Sequence, residues 1–405
     1  MTGAPEATLS RHVPALDGVR GLAILTVFLF HVAAYAWTGP TTGLDRVMHR
    51  VMEAGWIGVD LFFVLSGYLI TGILVSSRGT PRYFRNFYIR RALRIFPLFY
   101  LSLLLFALAA QWYPQFRPAS LEAALANWTY TSNIYMAVHG WDVEPTVMQP
   151  FWSLAVEEQF YFVWPLVVYA ARGSRLMTVS IAGILLSIFV RAFLLASGHD
   201  LAAYMLLPAR MDSLLAGSLV GLILGWGAPS RPSWMRRRPG LKIVAAAASI
   251  AMIVVLRMFL WDSVAVQALK STLIALGFAV LLAASLLSTR SGALSGFFTA
   301  APLRFLGRYS YSIYIFHAAV ITTLARQVSV RDLPVIFGSR IPAAIFFTIV
   351  SVGVTILIAL ATWHLVEKHF LRMKDRFAKG RGGEAVPDQS FPNPPSVEVR
   401  AVMGE

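Results

Sequence analysis

Cysteine is absent from the 405 residues of this chain, which excludes disulfides, thiolate metal sites, a cysteine nucleophile and an acyl-cysteine intermediate. Charge is scarce: Asp, Glu, Lys and Arg make up only 14% of the residues against 57% apolar, and the mean hydropathy is +0.64. That balance excludes a soluble enzyme. Apolar runs of roughly twenty residues recur along the chain and point to an all-α, polytopic integral membrane protein. Acid is scarcer than base, 20 residues against 35, for a net charge of +15. In a soluble domain that excess would suggest nucleic acid, whereas in a membrane protein its distribution matters more than its sum. Metal-ligand spacing is not evident, so no metal is expected. No internal repeat stands out, which weighs against an inverted-repeat transporter.

The pattern predicts ten spans, at 19–38, 56–76, 95–112, 152–171, 176–196, 205–226, 241–261, 267–287, 305–326 and 341–366. One set of alternate loops, with the span edges beside them, then holds fifteen Arg and Lys residues and the other set six. By the positive-inside rule both termini are expected in the cytoplasm, with the protein in the cytoplasmic (inner) membrane and no nucleic acid as partner. Residues 1–18 lack a signal peptide's pattern and read as a cytoplasmic N-terminal segment. Residues 19–372 read as the transmembrane domain. Residues 373–405 read as a cytoplasmic tail whose Gly, Pro and charge content predicts disorder. The stretch 113–151 is the longest outside loop; its LEAALANWTYTSNIYMAV portion is too polar for a span and is expected at the membrane interface.

Ionisable residues inside spans are costly and mark pathways or reaction centres. Arg20 and His31 lie eleven residues apart in the first span, so they share a helix face about 16 Å apart. The histidine can move a proton near neutral pH; the arginine can hold an anion. In the second span Asp60 needs a buried partner, and His31 is the nearest in depth. A carboxylate there would orient the imidazole for general-base work. The neighbouring Ser66-Gly67 pair, taken alone, reads as helix packing. Arg90, Arg91 and Arg94 precede the third span. They read equally as membrane anchoring and as a cradle for a phosphorylated ligand, with Arg91 and Arg94 on one face. Glu157 and Glu158 open the fourth span, near its outer end, with Arg191, Arg210 and Asp212 in the next two spans as candidate pairing partners. His317 reads as a core histidine among aromatics, and His364 and Glu367 as anchors of the last span.

These segments, taken in order, resemble the membrane-bound acyltransferase 3 family. The matching motifs are R-x10-H, GVDxFFxLSGYLI, R-x-x-R, WSLxxEEQFYxxWP and a late GxYSYxIYxFH, running from about residue 14 to 370. Members include O-antigen and exopolysaccharide O-acetylases, nodulation-factor acetylases and macrolide O-acyltransferases. The resemblance implies acyl transfer, usually of acetyl, from cytosolic acyl-CoA to a hydroxyl of a carbohydrate or glycoside. Acyl-CoA would be a co-substrate, with no bound cofactor. It implies that Arg20, Arg91 and Arg94, with Ser66, serve the donor, and that His31, Asp60, Glu157 and Glu158 serve catalysis. Many relatives carry a further hydrolase-like domain after the membrane unit, and the expectation here is a chain without it. The alternatives are a macrolide-type small-molecule acyltransferase and a transporter or flippase for a lipid-linked sugar.

Overall fold

The computed structural model describes residues 13–37, 39, 42–225, 263–287 and 292–378. The apolar runs fold as helices. The first, α1 (Pro14–Tyr35), starts on a proline whose missing N–H costs nothing at that position. A capping box at Thr42 and Asp45 starts the amphipathic α2 (Gly43–Glu53), and a 3₁₀ turn leads into α3 (Gly58–Ser76). Then come α4 (Tyr83–Ala109), the short α5 (Leu121–Trp128) and α6 (Ser132–His139), α7 (Phe151–Ala170) and α8 (Ser174–Ala196). They are followed by α9 (Asp200–Met205), α10 (Leu207–Leu224), α11 (Val264–Leu287), α12 (Ala293–Thr299) and α13 (Ala301–Arg308). The last are α14 (Ser310–Gln327), α15 (Ile341–Thr362), a π-helical turn at Trp363–Glu367 and α16 (Lys368–Ala378).

Among the described residues, seven helical stretches are long and apolar enough to cross a membrane: 14–35, 43–76, 83–109, 174–196, 200–224, 264–287 and 341–373. The chain is an all-α, polytopic membrane protein. Two expected spans, 152–171 and 305–326, are occupied by α7 and α14, which fall outside those seven. They carry Glu157, Glu158 and Gln159 in one case and Ser310, Ser312 and His317 in the other. The expected span 241–261 lies outside the described residues, as do the N-terminal residues 1–12 and tail residues 379–405.

Two boundaries differ from the sequence reading in ways that move chemistry. The helix of the third expected span, α4, begins at Tyr83, not near residue 95, so Arg91 and Arg94 sit within a helix and not in the loop before it. The ninth span is broken at Tyr309, with α13 and α14 on either side. The 113–151 loop folds into short helices and turns that cover one end of the bundle. At its base Asn127 donates to Glu144 at 2.8 Å.

Close backbone contact sets the bundle's centre. A Cβ on Gly67 would sit 1.7 Å from the Leu214 carbonyl oxygen, and one on Gly217 would sit 1.8 Å from that of Val64. Helices α3 and α10 therefore touch backbone to backbone at reciprocal glycines. On the other side, Gly18 and Gly21 of α1 meet the Phe298 and Leu303 carbonyls in the same way, seating α12 and α13 against α1. Helix α14 is buried along most of its length and packs on α1 and α15.

Candidate active site

Arg91 and Arg94 stand three residues apart on α4, so their side chains share a face. Six residues predicted from four separate segments meet there. The Arg91 guanidinium lies 4.2 Å from the ring centroid of Tyr161 on α7 and within electrostatic reach of Glu158 and Glu157. Glu157 is held from both sides: Ser66 of α3 donates to Oε1 at 2.8 Å, and the Tyr161 hydroxyl donates to Oε2 at 3.0 Å. Arg20 pairs with Asp17 at 3.4 Å and lies in range of Arg94, Arg91 and Tyr161. Arg94 in turn lies in range of Glu367 and Tyr311. Glu367, in the π-helical turn, accepts a short hydrogen bond from Ser312. The sequence reading took Glu367 for an anchor, and it belongs to this cluster instead. Arg91, Arg94, Glu157 and Glu158 are only half-buried although they lie well inside their helices. Charges at that depth do not face lipid, so this exposure opens onto an internal cleft.

His31 lies further along α1, about 16 Å from Arg20 by helix rise. Its expected partner was Asp60, which instead accepts from Arg210 and Ser213. Nδ1 of His31 faces the Val27 carbonyl oxygen at 2.8 Å and Nε2 of His317 at 3.1 Å, and the rings are 4.7 Å apart in an edge-on arrangement. Nδ1 of His317 faces the Tyr314 carbonyl oxygen at 2.6 Å. A carbonyl oxygen only accepts, so both Nδ1 atoms carry hydrogen. Nε2 of His317 then accepts from His31, and Nε2 of His31 is left as an unprotonated base. Tyr314 stands between the two centres. Its ring is 5.5 Å from that of His317, and its phenol is in range of Glu157. His317, read from the sequence as a core residue, is the neighbour that fixes the first histidine. The signal for it was a second intramembrane histidine; the contact spans 286 positions and no local pattern encodes it.

Asp60 belongs to a different group. Its Oδ1 accepts from Arg210 at 2.7 Å and from Ser213 at 2.9 Å. Arg191 donates to Asp212 at 2.8 Å and to Thr272 at 2.7 Å, and Arg210 donates to Ser271 at 2.7 Å. Two arginines and two aspartates from α3, α8 and α10 thus neutralise one another, with α11 supplying hydroxyls. The reason is packing: the glycine contact of α3 on α10 brings Asp60 to Arg210. The same pairs remove Arg191 and Arg210 as partners for Glu157 and Glu158.

The fold and the cluster define a polytopic membrane protein with arginines, paired glutamates and a histidine pair held inside its helical bundle. The family model described as an acyltransferase domain matches residues 13–360, and the chain belongs to that family. It is 27% identical over 371 residues to the peptidoglycan O-acetyltransferase OatA of Listeria monocytogenes, covering 88% of this chain and 55% of that protein. It is 30% identical over 379 residues to the putative peptidoglycan O-acetyltransferase YrhL of Bacillus subtilis, with the same coverage, 88% and 55%. It is 25% identical over 378 residues to the O-acetyltransferase OatA of Staphylococcus aureus, covering 88% of this chain and 57% of that protein. The chain spans a little over half the length of these relatives. No solved structure matches it.

Proposed function

We propose that this chain is an integral-membrane O-acyltransferase. It moves an acyl group, acetyl above all, from cytosolic acyl-CoA to a hydroxyl of a cell-surface polysaccharide or lipid-linked sugar. The observation that carries this reading is the convergence of Arg20, Ser66, Arg91, Arg94, Glu157 and Glu158 in one cleft, with an oriented histidine base further along the same helix. The O-acetyltransferase names of the relatives support it. Guanidinium groups bind phosphate through paired hydrogen bonds, so Arg91, Arg94 and Arg20 hold the CoA phosphates. Glu157 and Glu158 hold Arg91 in place, and Ser66 fixes Glu157. CoA carries its thioester on a long arm away from its phosphates, which suits the separation between Arg20 and His31. Nε2 of His31 takes the proton of the acceptor hydroxyl as that oxygen attacks the thioester carbonyl. The carbon–sulfur bond breaks, the acyl group passes to the oxygen, and the CoA thiolate leaves and takes up a proton. His317 keeps His31 in the tautomer that has Nε2 free. Both termini lie in the cytoplasm of a cell whose inner membrane holds the protein.

The test uses the full chain in nanodiscs with acetyl-CoA. His31→Ala should lower kcat by about a hundredfold or more, as expected for loss of a general base. Arg91→Ala should raise the KM for acetyl-CoA more than that for the acceptor, with Arg91→Lys restoring it in part. His317→Leu should lower kcat at unchanged KM and displace the pH profile. His317→Gln, which offers a carbonyl oxygen where Nε2 stood, should recover most of the rate. Substantial turnover in a well-folded His31→Ala protein would overturn the assignment.

A further inference from the structure

Beyond His31, toward the end of α1 away from the arginines, a short chain of contacts leads to the surface. The Tyr35 ring lies 5.2 Å from that of His31, and its hydroxyl donates to Oε1 of Gln149 at 3.2 Å. Nε2 of Gln149 donates to the Trp141 carbonyl oxygen at 3.2 Å. The Trp141 ring lies 6.0 Å from that of Tyr204, which is backed by Trp152 at 4.9 Å and by the Arg210 guanidinium at 5.5 Å. Tyr35, Gln149, Trp141 and Tyr204 are all half-buried.

The hydrogen-bond capacity of Gln149 is half used. A primary amide has two N–H donors and two acceptor lone pairs, and the protein takes one of each. What remains is one donor and one acceptor on a single planar group, next to a tyrosine oxygen whose lone pairs are also available. A hydroxyl is the group that both gives and accepts one hydrogen bond. Beside it, two aromatic rings tilted 53° to one another offer apolar walls. A pyranose ring has this pair of properties: a rim of hydroxyls and a flat C–H face. Sites for small ligands are commonly built in this way, aromatic walls with a few convergent polar atoms.

We propose that Tyr35, Gln149, Trp141 and Tyr204 form the subsite for one pyranose ring of the acceptor, with the ring on Trp141 and Tyr204 and a hydroxyl directed by Gln149 and Tyr35 toward Nε2 of His31. The inference rests on the acyltransferase reading for its last step only, since binding of the sugar is independent of the donor. The side chains come from α1, α9 and the segment before α7, so the subsite exists only in the assembled bundle. It is the polar exit of the histidine centre, on the side opposite the arginine cleft.

The experiment measures binding of chitotetraose, an uncharged N-acetylglucosamine tetramer, to the full chain in nanodiscs without any acyl donor, by calorimetry and by tryptophan fluorescence. Gln149→Leu and Trp141→Ala should each weaken binding about tenfold, the loss of one good contact. Trp141→Phe should stay near the unaltered chain. In turnover assays the same two variants should raise the KM of the glycan acceptor and leave that of acetyl-CoA unchanged. If Trp141→Ala fails to fold, the near-isosteric Gln149→Leu and Tyr35→Phe carry the comparison. Glycan binding by a chain that transfers no acetyl would leave the subsite standing and remove the acyltransferase reading alone. Equal glycan affinity and KM in Gln149→Leu, Trp141→Ala and the unaltered chain would overturn the subsite, as would failure of the unaltered chain to bind chitotetraose.

Discussion

Glu144 shows how one carboxyl can make the cap over one end of the bundle sensitive to pH. It lies in the segment between Trp141 and α7, outside the spans, and is 3% exposed. Burial pushes its pKa up to about 7, while the hydrogen bond from Asn127 pulls the other way. Its Oε1 and the Oδ1 of Asn127 are buried without a partner, so a proton on the acid would satisfy both. A folded-state pKa above the unfolded one means that stability is complete below the unfolded value. It is lost as pH rises through the folded one. Over the window from about 4.5 to about 7 the loss is at most about 3 kcal/mol. The thermal midpoint of the chain in detergent should therefore fall across that window, and Glu144→Gln should flatten the fall. An unchanged slope in the variant would place the sensitivity in another group. At this scale the sequence was partly legible. Arg20, Arg91, Arg94 and the glutamate pair announce themselves as charges in apolar surroundings. Glu144, Gln149 and Glu367 do not, because their significance depends on which distant groups they meet.

At the scale of helices, α3 and α10 form a seam held by Gly67, Gly217 and the Asp60–Arg210 pair. Breaking a buried pair by removing one partner strands a charge and costs about 3–5 kcal/mol. Replacing both partners by neutral groups avoids most of that. Asp60→Asn alone should thus lower the folded yield and the unfolding midpoint, while Asp60→Asn with Arg210→Gln should recover both. The double variant should also keep much of its acetyl transfer, because Asp60 lies with Arg210 and not with His31. A well-folded double variant that is inactive, with the KM of the glycan acceptor unchanged, would return Asp60 to the reaction centre. Helix positions were legible because length and hydropathy suffice to find them. Helix starts were not: Tyr83 begins its helix in a basic, mixed sequence that reads as a loop. The partner of Asp60 was misread for a related reason. Depth along the membrane can be counted from sequence, but rotation about each helix axis is set by contacts between distant segments, such as the hydrogen bond between Thr71 and Ser218, 147 positions apart on the same seam.

For the molecule as a whole, the proposed reaction runs in one direction along α1. The arginine cleft is near its start, His31 is about 16 Å further on, and the aromatic subsite surrounds its far end. In inside-out vesicles, acetyl-CoA added to the medium should be consumed, and a membrane-impermeant glycan should be acetylated only when trapped in the lumen. Equal use of a glycan added on the same side as the donor would refute the arrangement and favour a reaction confined to one face.

The two helices left out of the apolar seven bear on how the protein is made. A charged residue at the centre of an isolated helix costs about 3 kcal/mol on insertion into lipid, and α7 carries two glutamates within one turn. Its counter-charges, Arg91 on α4 and Arg20 on α1, lie on helices that the ribosome delivers earlier. The acidic helix thus enters beside cations already waiting for it. Helix α14 comes later still, and with it His317. The imidazole pair is completed only when the late C-terminal helices dock on the first one, so a partly synthesised chain carries the arginine cluster long before it carries the histidine pair.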